Sequence, residues 1–347
     1  MIRLVTLVPY STRFAGEAII CTVDGLATEA GVAALRAGGC AVDAAIAAGA
    51  VLAVTHQHQC GLGGDLLALV QIAGADRPRA LNASGRAGSG ADPERVRERG
   101  HQRMPAERDR ACVTVPGCVD GWIALHRRFA KLPLDTLLEP ARRYAADGFA
   151  ASPSLVAAAE LIAGVPEADD YTARGPLRAG RIVRRPGVAR TLEAIARQGR
   201  RGFYEGEFGA ALLELGAGEF TAADLATSQA EWVEPLGVDA FDRRLWSLPP
   251  NSQGYILLRS AAIASGLPLP TPEDPGWAHL LIEASREADA DRESVWHDAS
   301  DGQALIDVER IAAMGARVSS RRGGTRGAAA VPGGTVSICV VDGDRMA

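Results

Sequence analysis

Three consecutive residues near the end of the chain, Gly333-Gly334-Thr335, place a hydroxyl beside an unhindered carbonyl. A threonine hydroxyl in this setting can attack the carbonyl before it, here that of Gly334, and turn the amide into an ester. Hydrolysis of that ester releases the amine of Thr335. An α-amine titrates near ~8, so it can serve as base for its own hydroxyl, the arrangement of N-terminal threonine nucleophiles. Glycine before the threonine tolerates the distorted backbone such an attack needs. A threonine at a strand start is also an ordinary β-former, and paired glycines also fit a plain turn. The three residues by themselves leave both readings open.

The elements around this tripeptide must position it. Thr335 opens an alternating run, Thr-Val-Ser-Ile-Cys-Val-Val-Asp, which predicts a half-buried strand over 335–342. Thr335, Ser337, Cys339 and Val341 then share one face. At the other end of the chain, residues 16–24 read as a short strand. "GLATEAGVAALRAGG" follows as a helix stopped by Gly38-Gly39. A second helix is predicted from Ala41 to about Thr55. Its alanine content implies close packing on both sides, and its one charge, Asp43, suits a first-turn capping role.

"CGLGGD" is a Gly-rich turn feeding an apolar strand, Leu66 to Ile72, and "RALNASGRAG" is a second strand and turn that pairs with it. Helices are expected at 119–129, 134–146, 154–163, 187–198, 208–215, 255–264 and, as one long element, 275–295. Thr221 caps a short helix with Asp224 three residues on. Further strands are expected at 234–239 and 245–248. Residues 319–334 are Gly/Arg/Ala-rich without periodicity and are expected to form a loop that delivers the chain to Thr335.

Bulk properties exclude several classes. The 347 residues carry a net charge of −5, with 47% hydrophobic and 23% charged residues, an ordinary globular composition. The 37 Lys and Arg are scattered, so no basic stripe points to nucleic acid. The longest nearly apolar stretch, 44–54, is too short for a membrane span, and the N-terminus lacks a secretory pattern. The expectation is a cytoplasmic protein with neither membrane nor nucleic-acid partner. The six cysteines contain no C-x-x-C and are expected as small buried hydrophobes. His56-x-His58 with Cys60 lacks a fourth ligand at sensible spacing, so neither a metal site nor a cofactor is expected. Spacing implies no carboxylate partner for His56, His58, His126 or His279, which default to structural roles. The cluster "EASREADADR" (283–292) defaults to a solvated, ion-paired helix face.

The motifs, taken in order, resemble the γ-glutamyltranspeptidase family of N-terminal-nucleophile hydrolases. They are "AGGCAVDAAIAAGAVLAVTH" (37–56), "CGLGGD" (60–65), "VPGCVDGWIALHRRFAKLPLDTLLEPARRYAADGF" (115–149), "GFYEG" (202–206), "LPPNSQG" (248–254), "EASREADADR" (283–292) and "GGTVSICVVDGD" (333–344). The resemblance implies an α+β fold, a four-layer αββα sandwich, and a precursor cleaved between Gly334 and Thr335. It implies that Thr335 is the nucleophile, with 1–334 matching a large subunit and 335–347 the start of a small one. Most of the small subunit has no counterpart here, so a fragment, a split gene or an inactive truncated subunit are each consistent with the sequence. A separate C-terminal polypeptide would then be a partner.

The pattern departs from the family at the substrate side. Typical members clamp the substrate α-carboxylate with an Arg in a Phe-Arg-Glu setting. Here "ASGRAG" (83–88) places Arg86 about two residues away, a shift that preserves strand facing. Arg86 is the candidate clamp, because a planar guanidinium matches a carboxylate; a solvated turn arginine is the alternative. Asn251 and Ser252, after Pro-Pro, either hydrogen-bond substrate from a pocket-side loop or serve turn chemistry. These departures resemble a γ-glutamyltransferase-like branch in which γ-glutamyl specificity is not implied. The expected activity is acyl transfer from a γ-glutamyl or related small-molecule amide to water or an amine. The alternative is an acylase of the same fold with another acyl group.

Overall fold

The computed structural model describes residues 13–105, 109–162, 165, 168–172, 175–320 and 334–347. Gly333 and nearly all of the 319–334 stretch lie outside the described residues. The centre is a pair of alanine-rich helices, α1 (Gly25–Arg36) and α2 (Ala41–Thr55). Thirteen of the fifteen residues of α2 are buried, so this helix is surrounded rather than amphipathic, as its composition predicts. Ala27, Ala30 and Ala34 of α1 are buried in the same core and allow close approach of the two helices. Asp43 does cap the first turn, accepting from the Cys40 N–H at 2.8 Å. It also accepts from the backbone N–H groups of Lys131 and Leu132, so it anchors a distant loop as well.

Sheet structure is arranged around these helices in short pieces. Strand β1 (Ile19–Cys21) pairs antiparallel with the last strand, β9 (Cys339–Val341). Strands β2 (Leu66–Val70) and β3 (Arg79–Ala83) form the expected antiparallel pair, and β6 (Glu231–Val233) extends it to three strands. Two-stranded ladders join β4 (Phe149–Ala150) to β5 (Ile182–Val183) and β7 (Leu236–Ala240) to β8 (Arg243–Ser247). The mixture of segregated helices and antiparallel strands is α+β. The main core is built by residues before 236 together with the 336–346 segment; two small clusters lie within 236–318.

Several elements differ from the sequence expectation for identifiable reasons. The strands expected over 16–24 and 335–342 shrink to three residues each, because only Ile19–Cys21 and Cys339–Val341 face one another in register. The strand expected at 234–239 begins only at Leu236, after Pro235, which has no N–H for a ladder, and pairs with β8; β6, just before it, was not expected and pairs with β3. The helix expected over 275–295 ends at Ala288 and resumes at Arg292. In the gap, Asp291 turns inward to Arg259 (2.8 Å) and Arg310 (2.6 Å). The 283–292 cluster is therefore only partly a solvated face: Arg259 is fully buried, and Asp291 carries its charge balance.

Helices α3 (Pro93–Glu98), α4 (Cys118–Phe129) and α5 (Leu134–Asp147) complete the elements that matter below. The start of α4 is fixed by the Gly-rich turn: the Gly64 carbonyl accepts from the N–H groups of both Gly117 and Cys118, at 3.0 and 2.9 Å. Gly117 has no room for a side chain, since a Cβ there would lie 2.0 Å from the Ala83 carbonyl oxygen at the end of β3. Gly117→Ala must push β3 and α4 apart. We expect a loss of about 2–3 kcal/mol, read as a shifted denaturant midpoint at unchanged slope.

Candidate functional site

The segment from Gly334 to Ala347 is held along its length. The carboxylate of Asp342, 4% exposed, accepts from the Ala41 N–H at the start of α2 and from the Met346 N–H, at 2.8 and 2.9 Å. Ala347 exchanges two backbone hydrogen bonds with Gln71 just past β2. Lys131 Nζ reaches Asp344 at 2.7 Å on the surface. Val340 is buried in the main core, with Val336 and Ile338 packed against it. These contacts fix the path of the chain upstream to Thr335.

Thr335 is exposed at the rim of a cavity of about 360 Å³ between α2, α4, β2 and this segment. The lining includes Gln59, Cys60, Gly61, Asp65, Cys118 and Trp122. The Thr335 N–H donates to Gln59 Oε1 at 3.4 Å, a long hydrogen bond. Gly334 lies against the backbone of the same loop: a Cβ there would be 3.0 Å from both Gln59 Cα and the His58 carbonyl oxygen. Glycine at 334 thus lets the Gly334–Thr335 peptide approach the 58–59 loop closely. Sequence reasoning singled out Gly334 and Thr335 and missed Gln59, which is 276 residues away and carries no motif signal.

The loop bearing Gln59 is positioned by the ends of α1 and α2. Asp24 caps α1, accepting from Leu26 N–H at 2.6 Å and Ala27 N–H at 3.3 Å. Its other oxygen lies 3.0 Å from His56 Nδ1, at the end of α2. His56 therefore has the carboxylate partner that spacing did not imply. The Gln59 and Cys60 N–H groups then fold back onto the His56 carbonyl. Burial opposes ionisation of Asp24, but the His56 bond and the two backbone donors outweigh it and hold the carboxyl below its ordinary value of 3.8. Burial, with His56 nearby, pushes His58 below its ordinary 6.5.

The sign of the resulting pH dependence follows. A depressed His58 means the unfolded chain takes up a proton that the native chain refuses. Its contribution to stability is complete above pH 6.5 and is lost as pH falls below that value. The Asp24 contribution is present above 3.8 and lost on further acidification. We expect the melting temperature to fall as pH drops through about 6.5, and His58→Gln to flatten that slope, in thermal melts across a pH series.

The remaining sequence candidates gather elsewhere. Arg86 follows β3 and is half-exposed; its Nη2 lies 3.1 Å from Glu231 Oε2 and its Nη1 3.8 Å from Asp298 Oδ2. The Asn251 side chain meets Asn82 at 3.0 Å and Ser84 at 2.9 Å, and the Asn251 backbone carbonyl accepts from Trp296 Nε1 at 2.5 Å. Arg86 and Asn251 are thus joined through the Asn82–Arg86 stretch. The Ser252 hydroxyl accepts from the Gly254 N–H at 3.0 Å, which is turn chemistry. None of the three lines the cavity beside Thr335.

The cysteines divide. Cys40 and Cys118 are buried and Cys60 is half-buried, as small hydrophobes should be, and burial pushes the Cys60 thiol to about 12 and Cys118 higher still. Cys21, Cys112 and Cys339 are exposed, contrary to the expectation of burial. Two of them are strand residues on the outward face, which alternation cannot distinguish from the inward one when both faces carry apolar residues. Among the described residues no cluster of His, Cys, Asp or Glu could hold a metal ion, and no helix is long and apolar enough to cross a membrane.

The γ-glutamyltranspeptidase family profile matches residues 27–347, covering the Gly-rich turn, the Asn82–Arg86 stretch and Thr335 together. The chain belongs to the γ-glutamyltranspeptidase family. Within it, the chain is 34% identical to the glutathione hydrolase-like YwrD proenzyme of Bacillus subtilis, over 82% of this chain and 56% of that protein. It is 32% identical to the oxamate amidohydrolase proenzyme of Klebsiella pneumoniae, over 93% of this chain and 64% of that protein. It superposes on the crystal structure of cephalosporin acylase from Bacillus halodurans with a TM-score of 0.86 at 30% identity, covering 100% of this chain and 68% of that one. The α+β fold is thus the N-terminal-nucleophile hydrolase fold of γ-glutamyltranspeptidases and acylases. The chain spans roughly half to two-thirds of the length of the curated relatives it matches.

Proposed function

We propose that this chain is part of an amide-cleaving enzyme in which the Gly334–Thr335 bond is first broken and Thr335 then acts as nucleophile. The observation that carries the reading is the placement of Gly334–Thr335: tightly apposed to the 58–59 loop, at the start of an anchored segment, on the rim of a cavity. In the first step Thr335 Oγ adds to the Gly334 carbonyl and the amide nitrogen leaves, giving an ester that water opens. In turnover the freed amine takes the Thr335 hydroxyl proton. The oxygen attacks the substrate amide carbonyl, and the amine portion departs with the proton. Water or an acceptor amine then opens the acyl-enzyme ester. Residues 1–334 and the segment beginning at Thr335 would remain associated as large and small parts of one catalytic unit.

The acyl group is better read as a non-γ-glutamyl one. Arg86, the candidate α-carboxylate clamp, is engaged by Glu231 and Asp298, and a substrate carboxylate would have to displace both. The names of the relatives span glutathione hydrolysis, oxamate hydrolysis and cephalosporin deacylation, and share only amide cleavage. Asn251, already joined to Asn82 and Ser84 and outside the Thr335 cavity, is assigned with Ser252 to holding this turn rather than to the substrate.

The test is to express the gene at its own locus, with any coding sequence that follows, and record the intact mass. The matured protein is then assayed against glutathione, oxamate and a cephalosporin acyl amide. Cleavage before Thr335 with turnover of an acyl amide other than glutathione is the expected result. A matured protein that turns over glutathione best would return Arg86 to the clamp role. A chain that stays uncut and inert would remove the enzymatic reading.

A further inference from the structure

Cys21 of β1 and Cys339 of β9 stand directly opposite one another in the antiparallel ladder. Facing residues of such a pair send their side chains to the same face, and both cysteines are exposed on it. Directly opposed residues have Cα atoms about 4.5–5.5 Å apart, inside the roughly 4.4–6.8 Å that a disulfide spans. No other two cysteines of the described residues face each other across a strand ladder. Cys112, the third exposed cysteine, lies in a short turn and donates to the Asp109 carbonyl.

We propose that Cys21 and Cys339 form a reversible cross-strand disulfide that ties the Thr335 segment to β1. Cys339 is four residues after Thr335, within the anchored 334–347 stretch, while Cys21 lies near the other end of the chain. The oxidant is a low-molecular-weight disulfide such as oxidised glutathione. The thiolate of one cysteine attacks the small disulfide, releasing one thiol and leaving a mixed disulfide on the protein. The facing thiol attacks the protein-side sulfur, releasing the second thiol. Two protein thiols are oxidised and one small disulfide is reduced to two thiols. Opposed Cβ atoms in a ladder sit about 4.5–5.5 Å apart, wider than the ~3.8 Å a disulfide prefers, so closure draws the strands together and the bond opens readily to reductant.

If the chain is also cut before Thr335, this bond would join the two pieces covalently. That consequence rests on the cleavage proposed above; the disulfide does not.

The test equilibrates the full protein with oxidised glutathione until Cys112 is modified, which shows that the oxidant has reached exposed thiols. Free thiols are then blocked and the peptides mapped by mass spectrometry. The expected result is a linked Cys21–Cys339 peptide, lighter by two hydrogens than its reduced parts and split by dithiothreitol. Cys21→Ser should convert Cys339 to a glutathione adduct and abolish the linked peptide. Recovery of Cys21 and Cys339 as separate adducts or free thiols in the wild-type chain, with Cys112 modified, would overturn the proposal. The cut before Thr335 is read on the reduced sample, so a chain that links without being cut, or is cut without linking, tells the two ideas apart.

Discussion

Thr335→Ala, made in the full coding sequence at the locus, is expected to leave the chain uncut before residue 335. Amide turnover should fall by roughly a thousandfold or more, as removal of a covalent nucleophile does. The expectation follows from one oxygen having two tasks. In the proposed function it opens the Gly334 carbonyl in maturation and attacks the substrate afterwards. Alanine removes both while leaving the fold alone, because Thr335 is exposed and its hydrogen bond to Gln59 Oε1 is made by the backbone N–H. The melting temperature should therefore stay within a degree or two of wild type, about what a neutral surface change produces. Thr335→Ser keeps a hydroxyl and should still mature, more slowly. Gln59→Ala separates positioning from chemistry: it should slow the cut while the matured protein, if recovered, retains most of its turnover. Intact mass and single-turnover assays read both steps. A Thr335→Ala chain that still matures or still turns over would place the nucleophile elsewhere.

The sequence made some of this legible. Helices α1 and α2 were readable because glycines end the first and unbroken alanine-rich spacing marks the second as buried. The β2–β3 pair was readable from alternation and the Gly-rich turn before it. The Gly334–Thr335 step stood out because its chemistry is local to two residues. What could not be read is whatever depends on partners far apart in the chain. Asp342 fixes the last segment by accepting from Ala41, 301 residues away. His56 finds Asp24 because two helix ends meet in space. The break at 289–291 is set by Arg259, buried and demanding a carboxylate, and not by any helix-stop residue. Strand β6, just before Pro235, was not read at all, because it exists only as the third partner of β3. Strand lengths failed for the same reason: a ladder is as long as the partner that faces it, and local pattern does not contain the partner.

Asp120→Ala is the largest stability loss we expect. Asp120 sits in the first turn of α4 with its side chain 1% exposed. One carboxylate oxygen takes Arg200 Nε at 2.8 Å; the other takes the Gln229 N–H at 2.8 Å. Arg200 is itself largely buried, lies over the Tyr204 ring, and donates to the Leu225 and Thr227 carbonyls. Removing the carboxylate leaves a guanidinium charge in a poorly hydrated place and orphans a backbone donor. Breaking a buried pair in this way costs about 3–5 kcal/mol, or roughly 4–7 °C in melting temperature for a chain of this size. Asp120→Asn keeps an acceptor for Gln229 and should lose less. The double variant Asp120→Leu/Arg200→Met removes the stranded charge and should recover part of the loss, because an apolar pair of similar volume avoids the desolvation cost. The contrast is the exposed pair Arg190–Glu207, whose removal should leave no measurable change in the melt. The effect should also reach the turn after β3: the Gln229 side chain accepts from the Arg86 N–H at 3.0 Å, so loss of Asp120 loosens that turn. Variants that melt like wild type would mean that water already shares the Arg200 charge, and that the turn at Arg86 is held by Glu231 and Asp298 alone.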